Sequence, residues 1–104
     1  MAVVPDEVLG EAARRFSLLG DETRLRIVRQ LHDCGECSVG EIADATGATI
    51  ANVSQHLNRL LVGGVVRRRR DGRSVLYSIG DPTIEELCTI VCDSVRDRAR
   101  VMAR

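Results

Sequence analysis

Four cysteines are the most reactive side chains in the sequence, and they fall into two pairs. Cys34 and Cys37 form a CxxC unit within DCGEC, a spacing shared by thiolate metal sites and redox dithiols. Cys88 and Cys92 stand one helical turn apart, close enough for both sulfurs to reach one ligand. Thiolates are soft donors that favour cadmium, lead, mercury or arsenite over magnesium or calcium, so the cofactor expected here is a thiolate-bound soft metal ion or metalloid, or none. The same thiols can instead record oxidants or reactive sulfur by forming disulfide or polysulfide bridges. Both chemistries stay open. So does a plainer role for Cys88 and Cys92, which also lie on an apolar stripe where cysteine acts as a small hydrophobe. CxxC alone supplies only half the ligands of a tetrahedral zinc site. A thiol-disulfide exchange enzyme would set CxxC at a helix start beside a βαβ pattern, and the sequence has no such pattern.

A second constellation follows the first. Between Ile50 and Val62 the apolar residues Ile50, Val53, Leu57, Leu60 and Leu61 make one stripe at helical period. The other side presents Ala51, Asn52, Gln55, His56 and Arg59, with Thr49 and Ser54 at its margins. Asparagine and glutamine can pair bidentately with adenine, arginine with guanine or phosphate, and hydroxyls can donate to phosphates. Directly afterwards comes VVRRRRDGR, Val65 to Arg73, with five arginines and one aspartate. Arg70 and Arg73 flank its Asp71-Gly72 turn as the best phosphate contacts, while Arg67 to Arg69 alternate between faces. A protein-interaction module with a basic hairpin is the rival reading.

The elements that must position these groups can be read from caps and periods. Pro5, Asp6 and Glu7 suit a first helical turn, followed by Val8, Ala12, Phe16 and Leu19 at helical spacing. Gly20 ends that helix and Asp21 caps the next, whose core residues are Leu25, Ile27, Val28 and Leu31, with a break from Asp33 to Glu36. Ser38 and Glu41 form a capping box for a short helix, Val39 to Thr46, closed by Gly47. Thr49 caps the fourth helix and Gly63-Gly64 stops it. Ser74 to Ser78 pairs back across the turn as a hairpin, and Asp81-Pro82 opens a last helix. The fold class is mainly α with a small β-hairpin, in the order ααααββα. Two short helices joined by a tight turn and followed by a ribbon make a winged helix-turn-helix, with its second helix in the major groove of double-stranded operator DNA.

A single such helix reads few base pairs, so a homodimer is expected, with two copies on a twofold axis. Ile84, Leu87, Cys88, Val91, Cys92 and Val95 fall on one face of the last helix, too broad a face to stay bare. The expected interface is Phe16 from the first helix with Ile84, Leu87, Val91 and Val95 from the last. Up to four thiols would then gather where the last helices pair.

With 104 residues and 44% hydrophobic content, the sequence fits a single domain over residues 1–104. Formal charge is zero, and every basic side chain is arginine. The distribution is uneven: acids crowd the first quarter and arginines the hairpin. No apolar run approaches membrane-span length and no signal peptide is visible, so the expectation is a cytoplasmic protein with no membrane partner.

Three stretches together resemble the ArsR/SmtB family of bacterial metal- and stress-responsive repressors: LLGDETRLRIVRQL (Leu18 to Leu31), CSVGEIADATGATIANVSQHLNRLLVGGVV (Cys37 to Val66) and RRDGRSVLYSI (Arg69 to Ile79). The resemblance implies a homodimer held by its first and last helices, which represses transcription until an inducer weakens DNA affinity. It places Ser54, Gln55 and His56 of NVSQHL at the DNA surface. Neither metal site of the family transfers intact. The family's cysteine-x-cysteine pair at the third helix is replaced by Ser38 and Gly40, with Cys37 one place early. The aspartate and histidine ligands of its last helix are missing, since His32 and His56 lie elsewhere.

Overall fold

From the second helix onward, each helix starts where a side chain accepts from a backbone amide that the helix itself leaves unpaired. The computed structural model describes residues 3–103. Helix α1 (Asp6–Leu19) starts after Pro5, which caps it from an extended conformation rather than joining its first turn. Helix α2 (Glu22–Cys34) is capped by Asp21, whose carboxylate accepts from the Arg24 amide at 3.0 Å. That hydrogen bond, ahead of the nearby Arg24 charge, holds the Asp21 carboxyl below the ordinary carboxylate range. Helix α3 (Val39–Thr46) carries the reciprocal capping box of Ser38 and Glu41 and ends at Gly47, whose φ of 75° suits a residue without Cβ. Helix α4 (Ile50–Val62) starts from Thr49, which accepts from the Asn52 amide at 3.1 Å. Strands β1 (Val66–Asp71) and β2 (Ser74–Ile79) form an antiparallel ribbon in which Val66 faces Ile79 and Arg70 faces Val75. Helix α5 (Pro82–Met102) opens with Asp81 accepting from the Thr83 amide.

One apolar cluster joins the middle of the chain. Ile27 and Leu31 of α2, Ile42 of α3, and Val53, Leu57 and Leu60 of α4 are sealed from solvent, and Val65, Val66 and Tyr77 bring in the base of the ribbon. Fully burying such side chains contributes about 1.5–3 kcal/mol each, so the helix pair and the ribbon are held by a shared interior. A third segment joins the ribbon: the Cys37 amide donates to the Tyr77 carbonyl at 3.0 Å and the Tyr77 amide returns the bond at 2.8 Å.

The outer helices are less enclosed. Phe16 on α1 is 60% exposed, Val95 on α5 is 64% exposed, and Val91 is also exposed, as expected of an unpaired apolar face. Ile84 departs from the expected interface: at 4% exposure it belongs to the protomer's own core, because the first turn of α5 folds back onto the central cluster. Leu87 is half-buried against that cluster. Leu25, expected in the core, is 36% exposed. Its place on the α2 stripe is taken by Arg24, which lies with Ile27, Val28 and Leu31 at i, i+3, i+4 and i+7. No helix among the described residues is long and apolar enough to cross a membrane.

Candidate nucleic-acid interface

Helix α4 is anchored by Val53, Leu57 and Leu60, and that anchoring decides which side chains it offers outward. Asn52, Ser54, Gln55 and Arg59 are exposed, and Thr49 precedes them at the capping position. The Thr49 oxygen is engaged as an acceptor, which leaves its hydroxyl proton free to donate. Asn52, Gln55 and Arg59 share one face, at i, i+3 and i+7. Ser54 projects from the flank.

His56 differs from the expected fully outward placement. At 100° per residue it lies only about 70° from the centre of the buried stripe, and it is half-buried. Its Nδ1 is 3.3 Å from a guanidinium nitrogen of Arg24. Arg24 is 9% exposed and donates from its other nitrogens to the carbonyls of Leu18 and Ser17 at the end of α1. A guanidinium can only donate, so His56 Nδ1 accepts and the ring proton sits on Nε2. Arg24 therefore ties the last turn of α1 to the reading helix. Sequence reasoning missed it, although its position on the α2 core stripe was a usable signal.

The ribbon supplies positive charge next to this helix. Beyond Val66 every residue of β1 is exposed. The turn comprises Gly72 and Arg73, with Gly72 at φ 62°, so Arg73 sits in the turn itself and Arg70 two residues before Gly72 on β1. Arg69 is already engaged: its Nε and a terminal nitrogen each donate to Glu36 at 2.7 Å. This fork holds the Glu36 carboxyl below the ordinary range and raises the Arg69 guanidinium further. Among the arginines of β1 and the turn, Arg67, Arg68, Arg70 and Arg73 have no such partner in the described residues.

The cysteines separate into two unlike settings. Cys34 is exposed as the last residue of α2, which runs two residues into the expected break, and Cys37 is 1% exposed. Cys37, by contrast with its exposed partner, has its backbone paired with Tyr77 and its side chain in the core. The two sulfurs are joined as a disulfide. Cys88 is half-buried and Cys92 exposed on α5, both free thiols. Burial pushes the Cys88 thiol up, with smaller contributions from Cys92 and Glu85. Among the described residues no group of three or more His, Cys, Asp or Glu side chains converges to hold a metal ion. A closed metal site does not fit one protomer.

His32 lies near the end of α2, with Nδ1 2.9 Å from a Glu85 carboxylate oxygen on α5. That hydrogen bond raises the His32 imidazole above its ordinary value.

Comparison with known proteins agrees with this architecture. Residues 21–68, from the α2 cap to the start of the ribbon, match the model of the bacterial regulatory protein family arsR. A probable mercury resistance operon repressor of Streptomyces lividans is 34% identical over 101 residues, spanning 97% of this chain and 80% of its own. The HTH-type transcriptional regulator KmtR of Mycobacterium tuberculosis is 34% identical over 84 residues, covering 81% of this chain but 64% of its own length, so this chain spans less than two thirds of that relative. Among solved structures, a homodimeric winged helix-turn-helix DNA-binding domain from Mycobacterium bovis, described as a possible ArsR-family transcriptional regulator, superposes with a TM-score of 0.82 at 31% identity, over 95% of this chain and 94% of that one. Sequence, element order and superposition agree that the chain belongs to the ArsR/SmtB family of winged helix-turn-helix transcriptional regulators.

Proposed function

We propose that the chain is a single-domain, cytoplasmic repressor that binds operator DNA as a homodimer and is released when an inducer reacts with its thiols. One observation carries the DNA reading: Asn52, Gln55 and Arg59 are held outward on α4 by three sealed apolar residues, in a chain whose next element is an exposed arginine ribbon. Thr49 and Ser54 donate to phosphates, Asn52, Gln55 and Arg59 read bases, and Arg70 and Arg73 hold the flanking backbone. His56, with Nδ1 occupied by Arg24, offers only its Nε2 proton to DNA.

The dimer reading rests on the bare apolar residues Phe16, Val91 and Val95, with Leu87 at the edge of the same face. The Mycobacterium bovis relative, described as homodimeric, supports it. For the inducer, the mercury resistance named for the Streptomyces relative supports a thiophilic metal or metalloid. The Cys34–Cys37 disulfide favours a second reading for that pair alone, as a redox sensor.

Fluorescence anisotropy with the duplex upstream of the protein's own coding sequence, against random duplex over a range of salt, tests the DNA reading. Specific binding with a steep salt slope is expected, about 0.9 per phosphate neutralised. Gln55→Ala should lose about 1–3 kcal/mol of preference for the specific duplex. Equal, salt-insensitive affinity for both duplexes would sink the proposal.

A further inference from the structure

The apolar stripe of α4 does not stay buried to its end. At about 100° per residue, Ile50 lies only about 50° from the centre of the stripe formed by Val53, Leu57 and Leu60, closer than the half-buried His56. Ile50 is nevertheless 61% exposed, while Val53, three residues on, is sealed. Its place along the axis explains the difference. As the first residue of α4 it stands about 4.5 Å before Val53, beyond the edge of the central cluster.

The protruding end is the one that meets bases. Recognition helices contact base edges with their N-terminal residues, so Ile50 stands ahead of Asn52 and Gln55, whereas Val62, also exposed, sits at the far end of the helix. Each of the other helices carries an acid in its first turn and α4 carries none, so its own first turn does not repel phosphates. An isoleucine has no hydrogen bond to offer a base. The apolar group exposed in the major groove is the C5-methyl of thymine, which lies at the outer edge of its base beside the phosphates of its own strand. Ile50 shares a flank of α4 with Ser54, one turn on, whose hydroxyl suits a phosphate. Ala51, exposed beside it, has nothing beyond Cβ to hold the helix away from the groove.

We propose that Ile50 is a specificity-determining residue that packs on the C5-methyl of one thymine in each operator half-site, with Ser54 on the adjoining phosphate. Cytosine offers only a C5–H at that place and the purines a polar edge, so burial of the methyl favours thymine over all three. The surface of α4 then reads in two ways: Asn52, Gln55 and Arg59 by hydrogen bonds, and Ile50 by excluding water from a methyl group. This inference rests on the repressor reading above. 5-Methylcytosine carries the same methyl group, so the DNA that tests the proposal is made without it.

The test starts from duplexes that the native full chain enriches out of a synthetic random-sequence pool. One thymine position per half-site is expected to lose its preference when Ile50→Ala performs the enrichment, and to keep it, weakened, with Ile50→Val. Replacing that thymine by deoxyuridine in both half-sites removes the methyl and leaves the hydrogen-bonding edge unchanged. Burial of one methyl contributes about fourfold per half-site, so the native chain should bind the deoxyuridine duplex about 15-fold more weakly, and Ile50→Ala should respond by no more than about twofold. The urea midpoint of Ile50→Ala should match the native one, because the position is exposed. Equal responses to deoxyuridine in the two chains overturn the proposal. So does a loss of stability or of self-association in Ile50→Ala, which would assign the side chain to the protomer's own packing or to a second copy. If specific duplexes are enriched and none depends on the methyl, the repressor reading stands and this one fails; if nothing is enriched, both fail.

Discussion

The reading helix and the terminal helix α5 carry similar apolar stripes, yet the first is sealed inside the protomer and the second is mostly bare. On α4, Val53, Leu57 and Leu60 meet α2, α3 and the ribbon base. On α5 only Ile84 is buried, with Leu87 and Cys88 at the margin, and Val91 and Val95 are exposed outside the core cluster. Equivalent periodicity thus serves two ends. One stripe fixes the angle at which polar side chains are offered, and the other leaves an apolar surface that the proposed dimer would cover.

Changes within the sealed stripe should have the largest effect on folding. Leu57→Ala should cost about 2–5 kcal/mol in urea unfolding, whereas Val62→Ala, at an exposed position on the same helix, should stay within about 0.5 kcal/mol. Equal losses would erase the distinction between the helix's two sides. Along α5 the contrast sharpens: Ile84→Asp should unfold the protomer, and Val95→Glu should leave it folded but weaken self-association by about 1–3 kcal/mol for each buried carboxyl. Light scattering separates the two outcomes, and a dimer that tolerates Val95→Glu would move the interface elsewhere.

Smaller effects are expected at the ribbon. Arg73→Ala should lower the salt slope of DNA binding by about 1, and Arg69→Ala by less, since Glu36 already neutralises Arg69. A greater loss at Arg69 would show that DNA displaces Glu36.

The smallest effect joins the two regions. Glu85 raises the His32 imidazole in the folded chain, so this pair contributes stability fully below the ordinary histidine value of 6.5 and loses it as pH climbs through the raised one. The urea midpoint difference between the native chain and His32→Gln should therefore shrink above that value. A difference that is constant with pH would show the imidazole charge to be irrelevant to the α2–α5 contact.

Most of the scaffold was legible because its signals are local. The Ser38–Glu41 box, the Thr49 cap and Asp81-Pro82 each fix a helix start within a few residues of chain, and α3 and α4 have the bounds that the sequence predicts. The misreadings concern contacts that span the chain. Cys37 is buried by a pairing with Tyr77, forty positions away, which no local pattern announces. Ile84 and Val95 sit on one stripe, and periodicity does not say whether such a residue will meet its own chain or another. His56 lies where helical geometry leaves inward and outward nearly balanced, and Arg24 settles it.

The segment carrying Glu36 and Cys37 touches both strands of the ribbon, through the carboxylate to Arg69 on β1 and through the backbone to Tyr77 on β2. Its one sulfur is joined to Cys34 at the end of α2, so the disulfide adjoins the segment that holds the arginine hairpin. Under the redox reading proposed for this pair, protein handled in air and protein handled under reductant would be two distinct ligands for the same duplex, and an affinity quoted for either should state the thiol buffer alongside the salt.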